Sequence, residues 1–239
     1  MTPQNPADAA ALLARLRGYL FPGGEDQAPD VQAVRIAERG EIRMSPTAKW
    51  LPFTAEQTIQ ATHSGSHWEA RIGGGRLRSV TVVDAYERSH GLLTVKLGGI
   101  ITTTRLTGPD LDRGELQRYL ASFVFCPAML LHHKLLEFTA VGPSTLRLGD
   151  RDDPGHATID VEIAPDGQPT MCRAVRPRLV GKQAIPTPWF GMASEFREWD
   201  GMRIATRLEV AWQLPEGPFP YYRSEITSWG GQSGPRAGY

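Results

Sequence analysis

The sequence predicts a mainly β fold of the α+β class: a curved antiparallel sheet, an internal helix plugging it and a second helix at the N-terminus. Three observations predict it. From Val34 onward, apolar and polar residues alternate with a period of two over most of the chain, as strands with one buried face do. Short turn signals separate the alternating stretches, among them the Asp-Gly pairs of "APDGQP" and "WDGM", which join antiparallel neighbours. One interior stretch, "RYLASFVFCPAMLLHHK" from Arg118 to Lys134, breaks that rhythm with helical spacing.

The elements follow in order. Residues 1–33 read as a helix and a loop: Ala9, Leu12, Leu13, Leu16 and Leu20 recur at helical spacing, Pro6 precedes them and "PGGE" ends the run. Residues 34–229 read as a single β-rich domain. Within it, "GPDLDRGEL" opens the plug helix at about residues 112–133, with Asp112 and Glu115 at the spacing of a capping box. Leu116, Tyr119, Leu120, Phe123 and Val124 form its apolar stripe. Pro127 lacks a helix donor and should kink or split it. Strands then resume through "PYYRSEITSW", and residues 230–239 read as a flexible tail. A sheet of roughly ten strands curls or splits. Its concave apolar face needs a cover, and the oily helix is the natural one.

Composition excludes several function classes. The 239 residues are 41% apolar, and 26 basic residues balance 26 acidic ones. That balance argues against a nucleic-acid partner, which calls for a basic face. The N-terminus lacks the charged and apolar regions of a secretory signal. No apolar run approaches the roughly 20 residues of a membrane helix, so no stable membrane anchor is expected. The two cysteines, Cys126 and Cys172, make neither a disulfide framework nor a zinc site. The expectation is a cytoplasmic protein with reduced thiols; nothing in the sequence speaks to its oligomeric state. No metal and no cofactor are expected. His63 and His67 are four apart, but "THSGSHW" is turn-rich rather than helical. "DRDDPGH" lacks the ligand spacing of a calcium loop. "IGGGR" has no following helix to complete a phosphate cradle. Walker, GxSxG and HExxH motifs are absent.

Several longer stretches carry a resemblance. "GEIRMSPTAKWLPFTAEQ", "HWEARI", "ELQRYLASFVFCPAMLL" and the closing "TPWFGMASEFREWDGMRIATRLEVAWQLPEGPFPYYRSEI" are similar to a bacterial family of domains of unknown function, over about Arg39 to Ile226. The resemblance implies the half-barrel of the lipoprotein carrier LolA, a curved antiparallel sheet whose cavity is plugged by helices. The chain departs from the pattern at Cys126-Pro127, where the family has Phe-Pro, and at the pair His132-His133, which the family usually lacks. The same type of fold also hosts a cofactor-free enzyme of pigment biosynthesis, an analogy of fold alone.

Candidate site residues come from the charged and aromatic positions. Alternation puts His67, Glu69 and Arg71 on one face of a strand, with Trp68, Ala70 and Ile72 on the other. It pairs Arg207 with Glu209, opposite Leu208, Val210 and Trp212, and it pairs Asp84 with Tyr86. Such charges are either a solvated outer face with cross-strand ion pairs or, for some of them, a cavity lining. In the second case Glu69 and Glu209 are acid–base candidates, with Tyr119 and one of His132 and His133 as partners. The bland reading of the two histidines is a helix C-terminus whose carbonyls they serve. Trp50, Phe53, Tyr86, Arg118, Phe123, Trp189, Phe196, Trp212 and Tyr222 are candidates for a ligand-binding wall, against the alternative of core packing. The functional expectation is a cofactor-independent enzyme moving protons on a mostly hydrophobic small molecule (isomerisation, cyclisation or elimination). Its alternative is a non-catalytic carrier of a lipid-like ligand.

Overall fold

The computed structural model describes residues 6–73, 79–181 and 183–233. Helix α1 (Pro6–Leu20) comes first. A six-strand meander follows: β1 (Ala33–Ile42), β2 (Leu51–Gln60), β3 (Ser66–Ile72), β4 (Val80–Glu87), β5 (His90–Leu97) and β6 (Ile101–Leu106). The chain then leaves the sheet through α2 (Pro109–Ala121), one 3₁₀ turn (Ser122–Val124) and the short α3 (Met129–His132). A second meander returns through β7 (Leu136–Gly142), β8 (Thr145–Asp150), β9 (Thr158–Ile163), β10 (Pro169–Val180), β11 (Gln183–Trp199), β12 (Met202–Leu214) and β13 (Gly217–Gln232).

Among the described residues these thirteen strands form one antiparallel sheet in the order β6-β5-β4-β3-β2-β1-β13-β12-β11-β10-β9-β8-β7. The first and last strands pair at its centre, from Ala33↔Gln232 to Ile42↔Tyr222. The two edges, β6 and β7, are therefore neighbours in sequence but far apart in the sheet. Helix α2 spans that gap, packing on β4 and β5 to one side and on β9 and β10 to the other. The sheet is curved and does not close. Strand β13 takes in Gly230–Gln232, which the sequence reading gives to the tail; residues 234–239 lie outside the described residues.

Local chemistry explains the turns. Between β11 and β12, Asp200 (φ 47°) and Gly201 (φ 74°) both adopt the left-handed conformation, as a two-residue hairpin turn matched to strand twist requires. In the β9–β10 turn Gly167 has φ 94°, and a Cβ there would run into the Arg15 carbonyl and the Tyr19 side chain. That close approach seats α1 against the turn.

The internal helix begins differently from the capping-box expectation. Gly108 precedes it, Pro109 supplies the first turn, and no side chain caps it. Asp112 instead accepts a hydrogen bond from the Gly91 amide at 2.6 Å, and Glu115 turns inward and is buried. The break expected near Pro127 is present, since regular α-helix stops at Ala121 and resumes only at Met129. Carbonyls freed by it find new donors: Trp229 Nε1 donates to Phe125 O at 2.8 Å, and the Arg17 guanidinium donates to Leu130 O.

The core lies between the concave face and the helices. Leu12, Leu16 and Leu20 of α1 join the stripe Leu116, Tyr119, Leu120, Phe123 and Val124, together with Met129, Leu146, Leu148 and Ile204. Phe123, a candidate for the ligand wall, is fully buried in this core and is not part of the cavity lining. Phe123→Ala should accordingly cost about 3–5 kcal/mol in urea unfolding, with affinity for a cavity ligand unchanged. A variant that keeps its stability and loses affinity contradicts this placement.

Candidate functional site

A mostly enclosed cavity of about 390 Å³ opens on the concave face. Its walls are mostly apolar. Trp68, Val82 and Val95 face it from the first meander, while Trp189, Val210 and Trp212 face it from the second. The broken helix closes its inner end with Ala121, Ser122, Val124 and Phe125. Helix α2 must cross from one sheet edge to the other, so it brings Arg118 into the same space.

A buried polar cluster forms where the two walls and the helix meet. Glu115 and Arg118, three apart on α2, lie 3.5 Å from each other. Asp84 from β4 approaches Arg118 at 3.9 Å, and Arg176 from β10 approaches Glu115 at 3.9 Å. Each guanidinium covers an indole face, Arg118 over Trp68 at 5.2 Å and Arg176 over Trp189 at 4.9 Å, an arrangement favourable to a desolvated cation. Behind Trp68, Glu38 accepts hydrogen bonds from Trp68 Nε1 at 2.6 Å and from the Tyr222 hydroxyl at 2.7 Å. Arg176 Nη2 donates to Gly114 O at 2.7 Å.

The cluster is only partly satisfied. Buried Asp84 Oδ1, Glu115 Oε2, Arg118 Nη1 and Arg176 Nε have no hydrogen-bond partner among the described residues. Leaving such groups unpaired is costly. Asp84, Arg118 and Arg176 all line the cavity; Glu115 stands behind them. Burial first, and the charge of Asp84 second, push Glu115 up to about 8 against the pull of Arg118 and Arg176. Burial likewise raises Tyr221 and Tyr222 and pushes the Cys172 thiol up to about 12, so these lining groups stay protonated at neutral pH.

The structure brings only some of the sequence candidates here. Arg118, Trp189, Trp212 and Tyr222 line the cavity. Glu69 and Glu209 are exposed on the convex face, because they alternate with the inward Trp68, Ala70, Leu208 and Val210. Trp50 lies between the guanidiniums of Arg43 and Arg223, each 4.6 Å from its ring, outside the cavity. Phe53 stacks on Tyr222 at 5.1 Å in a small separate core. Tyr86 is buried in the main core, and Phe196 packs edge-on against Tyr19 of α1 at 5.4 Å. Tyr119 is fully buried, its hydroxyl on the carbonyls of Gln60 and His63. His132 is half-buried beyond the cavity lining.

His133 is buried in a cluster of its own. The Leu135 amide donates to its Nδ1 at 3.2 Å, so in the neutral ring Nε2 carries the proton and donates to Ser64 Oγ, 3.0 Å away. The Ser64 hydroxyl then donates to the Asp150 carboxylate. Burial lowers the His133 pKa. A nucleophilic serine needs the histidine between itself and the acid, with the serine proton on the imidazole side. Here the serine is in the middle and gives its proton to the acid. The trio ties the β2–β3 turn to the end of β8. Among the described residues no three His, Cys, Asp or Glu side chains converge as a metal site requires.

A family model described as a family of unknown function, DUF6920, matches residues 11–229. The chain belongs to the DUF6920 family. No curated protein matches it in sequence. Among solved structures it is similar to a DUF1329 family protein from Desulfovibrio piger, with a TM-score of 0.53, 10% identity, and 95% of this chain and 94% of that one covered. It is also similar to the LolA superfamily protein NE2245 from Nitrosomonas europaea, with a TM-score of 0.51, 11% identity, and coverage of 95% and 94%. Identities this low speak to fold alone. The DUF6920 chain has a LolA-like fold.

The sequence reading missed Glu115, Arg176 and Glu38. Glu115 has a signal: it lies four positions before Tyr119 of the apolar stripe and so shares that side of the helix. Its proton gives a test. Between about pH 4.5 and 8 the folded chain holds a proton on Glu115 that the unfolded chain has released. Stability from this group is thus fully present below the unfolded value and is lost as pH rises through about 8. Glu115→Gln imitates the protonated acid, and its urea-unfolding free energy should stay flat from about pH 5 to about pH 9 where the parent declines. Parallel profiles would contradict the assignment.

Proposed function

We propose that this DUF6920 protein binds and carries an amphipathic small molecule, its apolar body in the cavity and its polar end against Asp84, Arg118 and Arg176. The observation that carries the reading is the pairing of a mostly apolar 390 Å³ cavity with unpartnered buried polar atoms at one place in its wall. Ligand sites have this composition, many apolar contacts and a few polar groups that fix orientation. Arg118 Nη1 and Arg176 Nε offer hydrogens, and Asp84 Oδ1 accepts one. A head that both accepts and donates, such as a hydroxyl, an amide or a protonated acid, matches all three.

Carriage is preferred to catalysis because the tyrosines and the thiol facing the cavity hold their protons. Tyr221, Tyr222 and Cys172 are all raised away from neutrality, which suits a fixed hydrogen-bonding wall better than proton exchange. One observation favours the second reading, a cofactor-independent acid–base enzyme: Glu115, at about 8, is poised near the operating pH. In that case Glu115 exchanges a proton with the ligand through movement of Arg118, and Glu115→Gln abolishes turnover while binding survives.

The binding reading is tested by displacement of a fluorescent naphthylamine probe with chain-matched alkanes, alcohols and amides. Ala193, in the cavity wall, can be replaced by Trp to fill the space; Ala193→Trp should lower affinity about tenfold or more with the fold intact by circular dichroism. Asp84→Asn should weaken the amide and the alcohol about tenfold and leave the alkane unchanged. Unaltered displacement curves in both variants would sink the proposal.

A further inference from the structure

Exposed large apolar side chains are not scattered over this molecule. Val175 apart, those among the described residues are Met44 and Leu51 flanking the β1–β2 connection, Leu97, Ile100 and Ile101 at the β5–β6 tip, and Leu179, Val180 and Ile185 at the β10–β11 tip. Each of the three borders the cavity, which is lined by Met44 itself, by Val95 two residues before Leu97 and by Pro177 two residues before Leu179. The β5–β6 and β10–β11 tips stand on opposite walls of the cavity, whose lining includes Val95 on one side and Arg176 on the other. Met44 is 77% exposed and also lines the cavity, so the rim and the interior are continuous. Ile100 is 86% exposed. The β10–β11 hairpin also runs on past Trp189↔Trp212, the first β11–β12 pair, so its tip stands clear of β12. Isolated exposed apolar residues need no explanation, but several gathered around one opening do.

Charge selects the occupant. The segments "RMSPTAKWL" (43–51), "KLGGII" (96–101) and "RPRLVGKQAI" (176–185) contain no Asp or Glu, although the whole chain is charge-balanced. Arg43, Lys49, Lys96 and Arg178 accompany the apolar residues there. Apolar side chains that enter a bilayer interface, with cations beside them for the headgroups, are the composition of a surface that docks on anionic lipid. A second copy of the chain would bring the same positive charge against itself.

We infer that the rim formed by Met44, the Leu97–Ile101 tip and the Leu179–Ile185 tip docks reversibly on an anionic lipid bilayer, with the cavity mouth facing the membrane. The inference rests on the reading of the cavity as an amphipathic-ligand site, since it gives that ligand a route from the bilayer. The contact is peripheral: no helix among the described residues is long and apolar enough to cross a membrane.

The test is co-sedimentation with vesicles of phosphatidylcholine alone and of equal parts phosphatidylcholine and phosphatidylglycerol. The protein should bind the mixed vesicles at least about tenfold more tightly than the neutral ones, and added salt should release it. Ile100→Asp and Leu179→Asp, each removing one exposed apolar contact, should each weaken binding to mixed vesicles about tenfold. Thermal melts, and probe binding in vesicle-free buffer, should stay unchanged. Absence of binding to mixed vesicles overturns the inference, as does wild-type binding by both variants. A concentration-dependent dimer that Ile100→Asp dissociates also overturns it, in favour of a second copy as the occupant. Vesicle binding that Ile100→Asp weakens, in a protein whose cavity takes no probe, upholds the docking and refutes the ligand reading instead.

Discussion

The link from β6 to β7 constrains everything else in this molecule. Pairing β1 with β13 at the centre of the sheet makes consecutive strands β6 and β7 its two opposite edges. One segment must carry the chain between them, and it does so across the concave face, where the apolar surface needs covering in any case. The crossing determines which residues become interior. It takes Leu116, Leu120 and Phe123 into the core, and it takes Glu115 and Arg118 in with them. The cavity is the space this crossing leaves unfilled.

A buried ion cluster is a poor way to stabilise such a crossing. Removing charges from water costs several kcal/mol each, and only good geometry recovers it. The contacts here, 3.5 to 3.9 Å, leave donors and acceptors unmatched. The molecule lowers the cost in two ways. Glu115 is raised to about 8 and is mostly protonated at neutral pH, and the two guanidiniums rest on Trp68 and Trp189. Replacing buried ion pairs by well-packed apolar side chains is often neutral or stabilising. Retention of unmatched polar atoms in the wall of an otherwise oily cavity therefore argues for a bound molecule that completes them.

Much of this was legible from periodicity, because alternation reports which residues share a face. It correctly separates His67, Glu69 and Arg71 from Trp68, Ala70 and Ile72, and the helical spacing from Leu116 to Val124 correctly marks a buried stripe. Strand number already implies a curled sheet, and the LolA-like resemblance agrees with it. What alternation does not report is which inward residue meets the cavity and which meets packed core. Phe123 and Trp189 are both inward aromatics, and only the second faces the open space. The distinction depends on where α2 lies relative to each strand, a long-range property with no local signature. Asp112 and Glu115 misled for a related reason. Their spacing fits a cap, but Gly91 on β5 claims the first and the concave interior claims the second.

Ser64, His133 and Asp150 show why residue types alone do not make a mechanism. The three side chains that define a hydrolase triad are in contact, and one of them is buried. The deciding atom is the Leu135 amide, which donates to His133 Nδ1 and so makes Nε2 the proton donor. The serine can then only accept from the imidazole and pass its own hydrogen to Asp150. Every polar atom in the chain of bonds has a use, and none is left to attack a substrate. Contrast the cavity wall, where Asp84 Oδ1 and Arg176 Nε have no hydrogen-bond partner and Arg118 Nη1 has only ion-pair contacts at 3.5 and 3.9 Å. A satisfied network holds two parts of the fold together; an unsatisfied one beside open space is where a ligand has something to supply.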